Sequence, residues 1–185
     1  YEATINIMAI SNTLERELDE ALRQINEETN IIACYIVDSF GALYSEDIDY
    51  LVGKYKRFLN SCEVGIHCHN QQQLAYANTI EGIIKNANYV DGTLYGLGRA
   101  AGNCPLELLV GFLKNPKFDI VPIFEAIKDE ILPLQKEIIW GYNIPYMICG
   151  LLNLHPQDAM EVMELPEDDE RKYDFTGLYN RLADL

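Results

Sequence analysis

Two of the three histidines in this chain, His67 and His69, stand two residues apart in Gly65-Ile66-His67-Cys68-His69-Asn70. The run that leads into them, Cys62–His67, reads as a β-strand, and residues i and i+2 of a strand project from one face. Both imidazoles can therefore enter a single site while Cys68 points the other way, which removes the thiol from the candidate ligands. Two imidazoles at a strand end suit a divalent cation. Two ordinary polar residues are the alternative, and the spacing alone leaves both open.

A third candidate donor, the amide oxygen of Asn103, follows the run Gly96-Leu97-Gly98-Arg99-Ala100-Ala101-Gly102. Gly96, Gly98 and Ala101 spell a GxGxxA dinucleotide fingerprint, a weak signal by itself. That fingerprint opens a βαβ unit and expects an acidic residue about 20 positions on, at the end of the next strand. Here the run follows the fourth predicted strand, and Asp119 lies inside the fifth. The glycines are therefore read as turn residues with positive φ. Asp38 ends a strand, where it either orients a ligand or caps a turn with Ser39. Arg99 either grips a carboxylate in a two-pronged contact or is a surface arginine. Asp91 is read as a structural residue in mid-strand, Glu107 as an acid at a helix start, and His155 as a surface residue.

The elements that must position these groups alternate. Strands are expected at Thr4–Ile10, Ile31–Val37, Cys62–His67, Asn88–Leu94 and Lys117–Val121. Helices lie between them. The first is capped by Asn12 or Thr13, with Leu14, Leu18, Ala21, Leu22 and Ile25 on its apolar face. The second starts at Ser45 with Glu46 and Asp47 in its first turn. The others run over about 72–86 and from about Pro105. Strand starts 26 to 31 residues apart are the period of βα units with a parallel sheet. That period fits a barrel or a doubly wound sheet equally.

The chain has 185 residues, 49% hydrophobic and 23% charged, with a net charge of −15. Such a charge argues against a nucleic-acid backbone or an anionic membrane as partner, though a bound cation can reverse the local field for a small anionic substrate. No apolar run is long enough to span a membrane, and no signal peptide opens the chain. Tyr1 in place of Met suggests a polypeptide that starts upstream. Cys34, Cys62, Cys68, Cys104 and Cys149 form no CxxC pair and are read as reduced thiols in a cytoplasmic protein. Residues 156–185, with the charged run ELPEDDERK, are set apart as an acidic tail ending in a helix.

HCHN, LAYAN (Leu74–Asn78) and VDGTLYGLGRAAGNCPLE (Val90–Glu107), with INIMAIS and IVDSFGAL before them, resemble the metal-dependent aldolase and lyase superfamily. Its members include 4-hydroxy-2-oxovalerate aldolases, hydroxymethylglutaryl-CoA lyases and isopropylmalate synthases. The resemblance covers about Tyr1–Pro156 and is nearest to the first group. It implies an α/β fold, a (β/α)₈ barrel of which residues 1–155 supply the fourth to eighth strands. It places the metal on His67, His69 and Asn103, and the substrate-placing or proton-moving tyrosine on Tyr142 or Tyr146. It implies Mn²⁺ or Mg²⁺, with Zn²⁺ or Co²⁺ as alternatives, and aldol chemistry on a 2-keto acid through a pyruvate enolate. A Claisen-type synthase, an acyl-CoA lyase and a non-catalytic barrel relative are the rival readings. The family's DxTLRDG-like first strand, with its aspartate ligand and arginine, is not in this chain. Open sheet edges and uncovered apolar faces predict a homo-oligomer.

Overall fold

The computed structural model describes residues 1–184. Four parallel strands lie side by side in chain order: β1 (Ala3–Ile7), β2 (Ile31–Asp38), β3 (Glu63–Cys68) and β4 (Tyr89–Val90). Four helices, α1 (Glu15–Glu27), α2 (Ser45–Phe58), α3 (Ala75–Ile84) and α4 (Leu106–Leu113), each follow one strand. Their apolar faces meet in one core. Leu18, Leu22 and Ile25 of α1, Ile48, Val52 and Tyr55 of α2, Ala75 of α3 and Leu109 of α4 pack with Cys34 and Ile36 of β2 and Val64, Ile66 and Cys68 of β3. Those strand residues all share one face of the sheet, so the helices cover that face alone. A doubly wound sheet would carry helices on both faces; this is the wall of a barrel.

The other face carries Ala33, Tyr35 and Val37 of β2 and Gly65 and His67 of β3. The register pairs Tyr35 with Gly65 and Val37 with His67. A Cβ on Gly65 would sit 2.6 Å from the Tyr35 ring, so the missing side chain is what lets Tyr35 lie across β3.

Several boundaries differ from expectation. β1 ends at Ile7, because Ala9 turns to φ 50° and Ile10–Asn12 makes a short 3₁₀ turn. Neither Asn12 nor Thr13 caps α1: Leu14 holds that position without a side-chain bond, and it is exposed. The predicted fifth strand, Lys117–Val121, is absent. The Asp119 carboxylate accepts from the Val121 N–H at 3.0 Å and starts a helix there, α5 (Val121–Ala126), with Pro122 in its first turn. The helix widens into a π turn over Ile127–Ile131 and ends as α6 (Leu132–Leu134). A strand needs a partner ladder, and the two residues of β4 offer little; Pro122 has no N–H for a ladder but suits a helix start.

Asn143 caps α7 (Ile144–Leu151) by accepting from the Tyr146 N–H at 3.0 Å. α8 (Gln157–Met163) and α9 (Phe175–Leu182) follow. Ile148, Val162 and Leu178 join these three helices, while Tyr146, Cys149 and Ala159 pack against Ala100 and Ala101 of the glycine-rich loop. All five cysteines are free and four are buried; burial pushes Cys34 up to about 12 and Cys104 up to about 11. Among the described residues no helix is long and apolar enough to cross a membrane.

Candidate metal centre

The C-terminal ends of β2, β3 and β4 converge on the two histidines. His67 is the last but one residue of β3, and His69 lies just beyond its end. Their rings stand 5.0 Å apart between centroids, at 75°. Each spends Nδ1 on a protein oxygen. His67 Nδ1 lies 3.0 Å from a carboxylate oxygen of Asp91, and His69 Nδ1 lies 2.9 Å from the backbone carbonyl of Asp38. These acceptors select the Nδ1–H tautomer and leave both Nε2 lone pairs free, the arrangement in which metal-binding histidines are commonly held. Burial holds the His69 imidazole below its ordinary range, and the charges of His67 and Arg99 push the same way against the Asp38 carbonyl. His69 is therefore a neutral donor at physiological pH.

Asn103 meets His69 through an antiparallel backbone bridge. Its amide nitrogen donates to the Leu97 carbonyl at 3.0 Å, but its amide oxygen is buried with no hydrogen-bond partner among the described residues. A buried acceptor without a donor costs about 1–3 kcal/mol, and a cation would satisfy it. Two imidazole Nε2 atoms and an orphaned amide oxygen are thus a donor set that fits a divalent ion. Among the described residues no group of three or more His, Cys, Asp or Glu is placed to hold a metal ion; the three donors here are fewer than a divalent ion takes, so coordination positions stay open. Cys68 faces the helices at 1% exposure, and burial raises its thiol well above the usual range.

The glycine-rich loop is a folded turn. Gly96 and Gly102 have φ of 64° and 85°, and a Cβ on Gly102 would strike the Gly96 carbonyl. The loop presents Arg99 to a pocket of about 380 Å³, whose wall also includes His69, Ser39, Phe40, Ala9 and His155. The Tyr146 ring is buried near Arg99; burial raises its phenol while the Arg99 charge lowers it. Tyr142 is 51% exposed, and neither tyrosine lines that pocket.

Asp38 takes the turn-capping one of its two readings. Its carboxylate is 1% exposed and accepts from the N–H groups of Ala42 (2.9 Å) and Leu43 (3.4 Å), so it caps the turn after β2 rather than facing the pocket. Burial nevertheless pushes its carboxyl up to about 6 against those bonds. Its service to the site is made by its backbone carbonyl, which orients His69.

The HMGL-like family model matches residues 4–128, which span every element named so far except the last helices. This chain belongs to the HMGL-like family. It is 39% identical to the 4-hydroxy-2-oxovalerate aldolase of Thermus thermophilus over 104 residues, 54% of this chain and 30% of that protein. It is 33% identical to the oxaloacetate decarboxylase of Mycobacterium tuberculosis over 160 residues, 84% of this chain and 46% of that protein. The solved N-terminal domain of a Bacteroides vulgatus protein described as an aldolase superposes with a TM-score of 0.75 at 26% identity, over 89% of this chain and 56% of that one. The carboxyl transferase domain of Rhizobium etli pyruvate carboxylase with oxalate superposes at 0.63 and 14% identity, over 97% and 33%; that likeness concerns the fold alone. The chain therefore spans less than half the length of these two curated relatives. Its fold is α/β, an incomplete (β/α)₈ barrel.

Two groups of this HMGL-like barrel stand elsewhere than the sequence reading puts them. Asp91 was assigned to mid-strand, but β4 stops at Val90 and turns the carboxylate onto His67. The glycine at position 92 was the available signal, since it places Asp91 at a strand end. His155 was assigned to the surface. It is exposed, yet it stands in the pocket wall, edge-on to Phe40 at 5.9 Å. Nothing in its local sequence indicates that position.

Proposed function

We propose that this chain is the metal-binding part of a divalent-metal-dependent lyase that breaks or forms a carbon–carbon bond in a 2-keto acid, as in 4-hydroxy-2-oxovalerate aldolases. One observation carries the reading: both histidines commit Nδ1 to protein oxygens and so present two Nε2 lone pairs at one barrel-strand end. His67, His69 and Asn103 would hold the ion, Mn²⁺ or Mg²⁺ in preference to Zn²⁺ or Co²⁺ given a mixed imidazole and oxygen set. When bound, that ion supplies Lewis-acid polarisation of the keto acid's oxygens.

The chain's own groups do the rest. Asp91 fixes the His67 tautomer and supplies a negative charge one imidazole away from the donors. The Asp38 carbonyl does the orienting for His69. Arg99 lends its positive charge to the pocket that His69 also lines. Of the two tyrosines, Tyr146 is placed near Arg99, where its protonated phenol can donate to an anionic oxygen. The full activity belongs to a protein that also provides the rest of the barrel, including a carboxylate for the open coordination positions. Removing one preorganised electrostatic group costs about 10²–10³ in rate, so residues 1–185 alone should bind metal weakly and turn over negligibly. The exposed apolar surface after β4 supports self-association of the chain.

The oxaloacetate decarboxylase relative, which covers more of this chain than the aldolase does, favours a second reaction at the same site. Both reactions break a bond to the carbon next to the ketone and leave the same enolate, so one site serves either.

The test has two arms. Manganese content, measured after gel filtration, should fall sharply in His67→Ala and His69→Ala and stay unchanged in Cys68→Ala. Pyruvate release from a 4-hydroxy-2-keto acid and from oxaloacetate should require the complete barrel and be abolished by EDTA. Equal manganese in all three variants, or turnover that survives EDTA, overturns the reading.

A further inference from the structure

The wall of the pocket opposite the strand ends holds a polar arrangement that the metal site does not use. The Arg99 guanidinium places one NH₂ nitrogen 3.3 Å from Nε2 of His155. The other ring nitrogen of His155, Nδ1, lies 3.2 Å from the backbone nitrogen of Gln157, which can only donate. A neutral imidazole has one acceptor nitrogen and one N–H. Arginine cannot accept, and the Gln157 amide cannot accept either. With Nδ1 occupied as acceptor of the Gln157 N–H, the proton sits on Nε2. The Nε2–H and the Arg99 N–H then converge as two donors with no acceptor between them. Protonating the ring does not relieve this, because it adds a third donor and a second positive charge.

Two observations show that the convergence is held in place. Phe40 packs edge-on to the imidazole at 5.9 Å, and Pro156 behind it is buried. Arg99 makes no ion pair among the described residues, and its one other side-chain hydrogen bond there is to the Met160 sulfur at 3.7 Å. The guanidinium thus remains without an anion in a chain that carries 29 acidic residues. The same pocket, of about 380 Å³, has His69 in its wall. A molecule held at His69 therefore shares this pocket with the two donors.

We propose that Arg99 and His155 form a second anion subsite, and that the substrate is a 2-keto acid with a second carboxylate at its far end. This rests on the reading of His67 and His69 as the site that holds the keto acid's own ketone and carboxylate oxygens. The two oxygens of the far carboxylate accept from Arg99 and from His155 Nε2–H, which replaces a donor–donor contact with two charge-assisted hydrogen bonds. A substrate ending in a methyl group leaves both donors unsatisfied in the pocket. A site built to hydrogen-bond a substrate group discriminates strongly against the analogue that lacks it.

The experiment uses two five-carbon probes that differ only at the far end, 2-oxoglutarate and 2-oxovalerate, titrated calorimetrically into the full-length protein loaded with Mn²⁺. The expected result is that 2-oxoglutarate binds at least about tenfold tighter, the scale of one charge-assisted hydrogen bond. Arg99→Gln and His155→Phe should each reduce that preference to within about threefold while leaving 2-oxovalerate binding and manganese content unchanged. Arg99 and the His155 ring edge are exposed, so both variants should fold, and a melting curve checks that they do. A wild type that binds the two probes equally, or a preference that persists in both variants, overturns the subsite. His67→Ala separates the two proposals. If it abolishes binding of both probes, the metal reading stands whatever the far-end result. If it leaves both affinities intact, the metal reading fails while the Arg99–His155 preference is still read directly.

Discussion

The front of this chain, from β1 to α3, and the stretch from Asn88 to Ile139 are built from similar proportions of apolar residues but treat them differently. In the front part the apolar residues close on one another: Leu22, Cys34, Ile36, Ile48, Val52, Tyr55 and Ile66 are all fully buried. In the later stretch Phe112, Phe118, Val121, Phe124, Leu132 and Ile139 are exposed. Tyr89, Val90, Leu109, Phe118 and Ile123 line an open apolar cavity of about 700 Å³ beside β4. The cause is the sheet. β2 and β3 pair over six residues and give α1–α3 a continuous face to cover, whereas β4 pairs over two and gives α4 and α5 almost none. A barrel wall buries its helices only where a strand lies beneath them. The metal site straddles this divide, with His67 on the well-paired β3 and His69 just past its end, and Asp91 just past the end of the short β4.

The largest expected effect tests the closed half. Ile36→Ala should lower unfolding free energy by about 2–5 kcal/mol, as for large-to-alanine changes in filled cores, while Phe118→Ala should change it by less than about 0.5 kcal/mol. Urea denaturation of the three proteins decides this; similar losses would mean that the later stretch is as well packed as the core.

Next comes the dependence of the site on β4. Asp91→Asn keeps size but removes the carboxylate at His67 Nδ1, and metal affinity should fall about 10–100-fold, the usual cost of losing such a partner. A manganese titration followed by electron paramagnetic resonance measures it, and an unchanged affinity would show that the short strand contributes nothing to the site.

Smaller again is the effect of the uncovered apolar surface. Phe118→Asp combined with Phe124→Asp should shift sedimentation velocity profiles towards monomer, with little loss of stability because both side chains are half exposed. An unchanged distribution would place self-association elsewhere.

The smallest effect is a pH limb confined to the front part. Lys54 of α2 reaches across to Glu15 and Asp19 of α1. Bonding to Lys54 lowers the Glu15 carboxyl; for Lys54, burial pulls downward, but its bonds to Asp19 and Glu15 carry it above its ordinary value. A lowered carboxyl contributes stability above its unfolded value of 4.5 and loses it as pH falls through the lower folded value. A raised lysine contributes below 10.5 and loses it as pH rises through its higher folded value. The melting temperature should therefore decline at both ends of the pH range, and Lys54→Met should flatten both declines. Curves of identical shape for the two proteins would remove this ion cluster from the account.

Some of this was legible in the order of residues. The period of apolar runs located β2, β3, α2 and α3 to within a few residues, because each pairs with a long neighbour and local pattern agrees with packing. The two-residue spacing of His67 and His69 placed both rings on one face and Cys68 on the other, since strand geometry alternates whatever surrounds it. The cysteines, expected as reduced thiols from the lack of a CxxC pair, are all free, and four of the five are buried. The fifth strand failed because strand formation is not a local property. Lys117–Val121 has strand-like residues, but without a ladder the Asp119 turn and Pro122 win and a helix starts.

What only the tertiary structure decided was which partner each polar group takes. Asp38 and Asp91 both follow apolar runs and look alike in sequence. The turn after β2 folds back on the Asp38 carboxylate and uses it up, while β4 stops one residue before Asp91 and leaves its carboxylate facing His67. Arg99 and His155 are 56 residues apart, and only the packing of α7 and α8 against the glycine-rich loop brings them to 3.3 Å. Alternation along a strand is set by bond geometry within a few residues. A hydrogen bond between distant segments depends on how whole elements stack, and no local stretch of this chain encodes that.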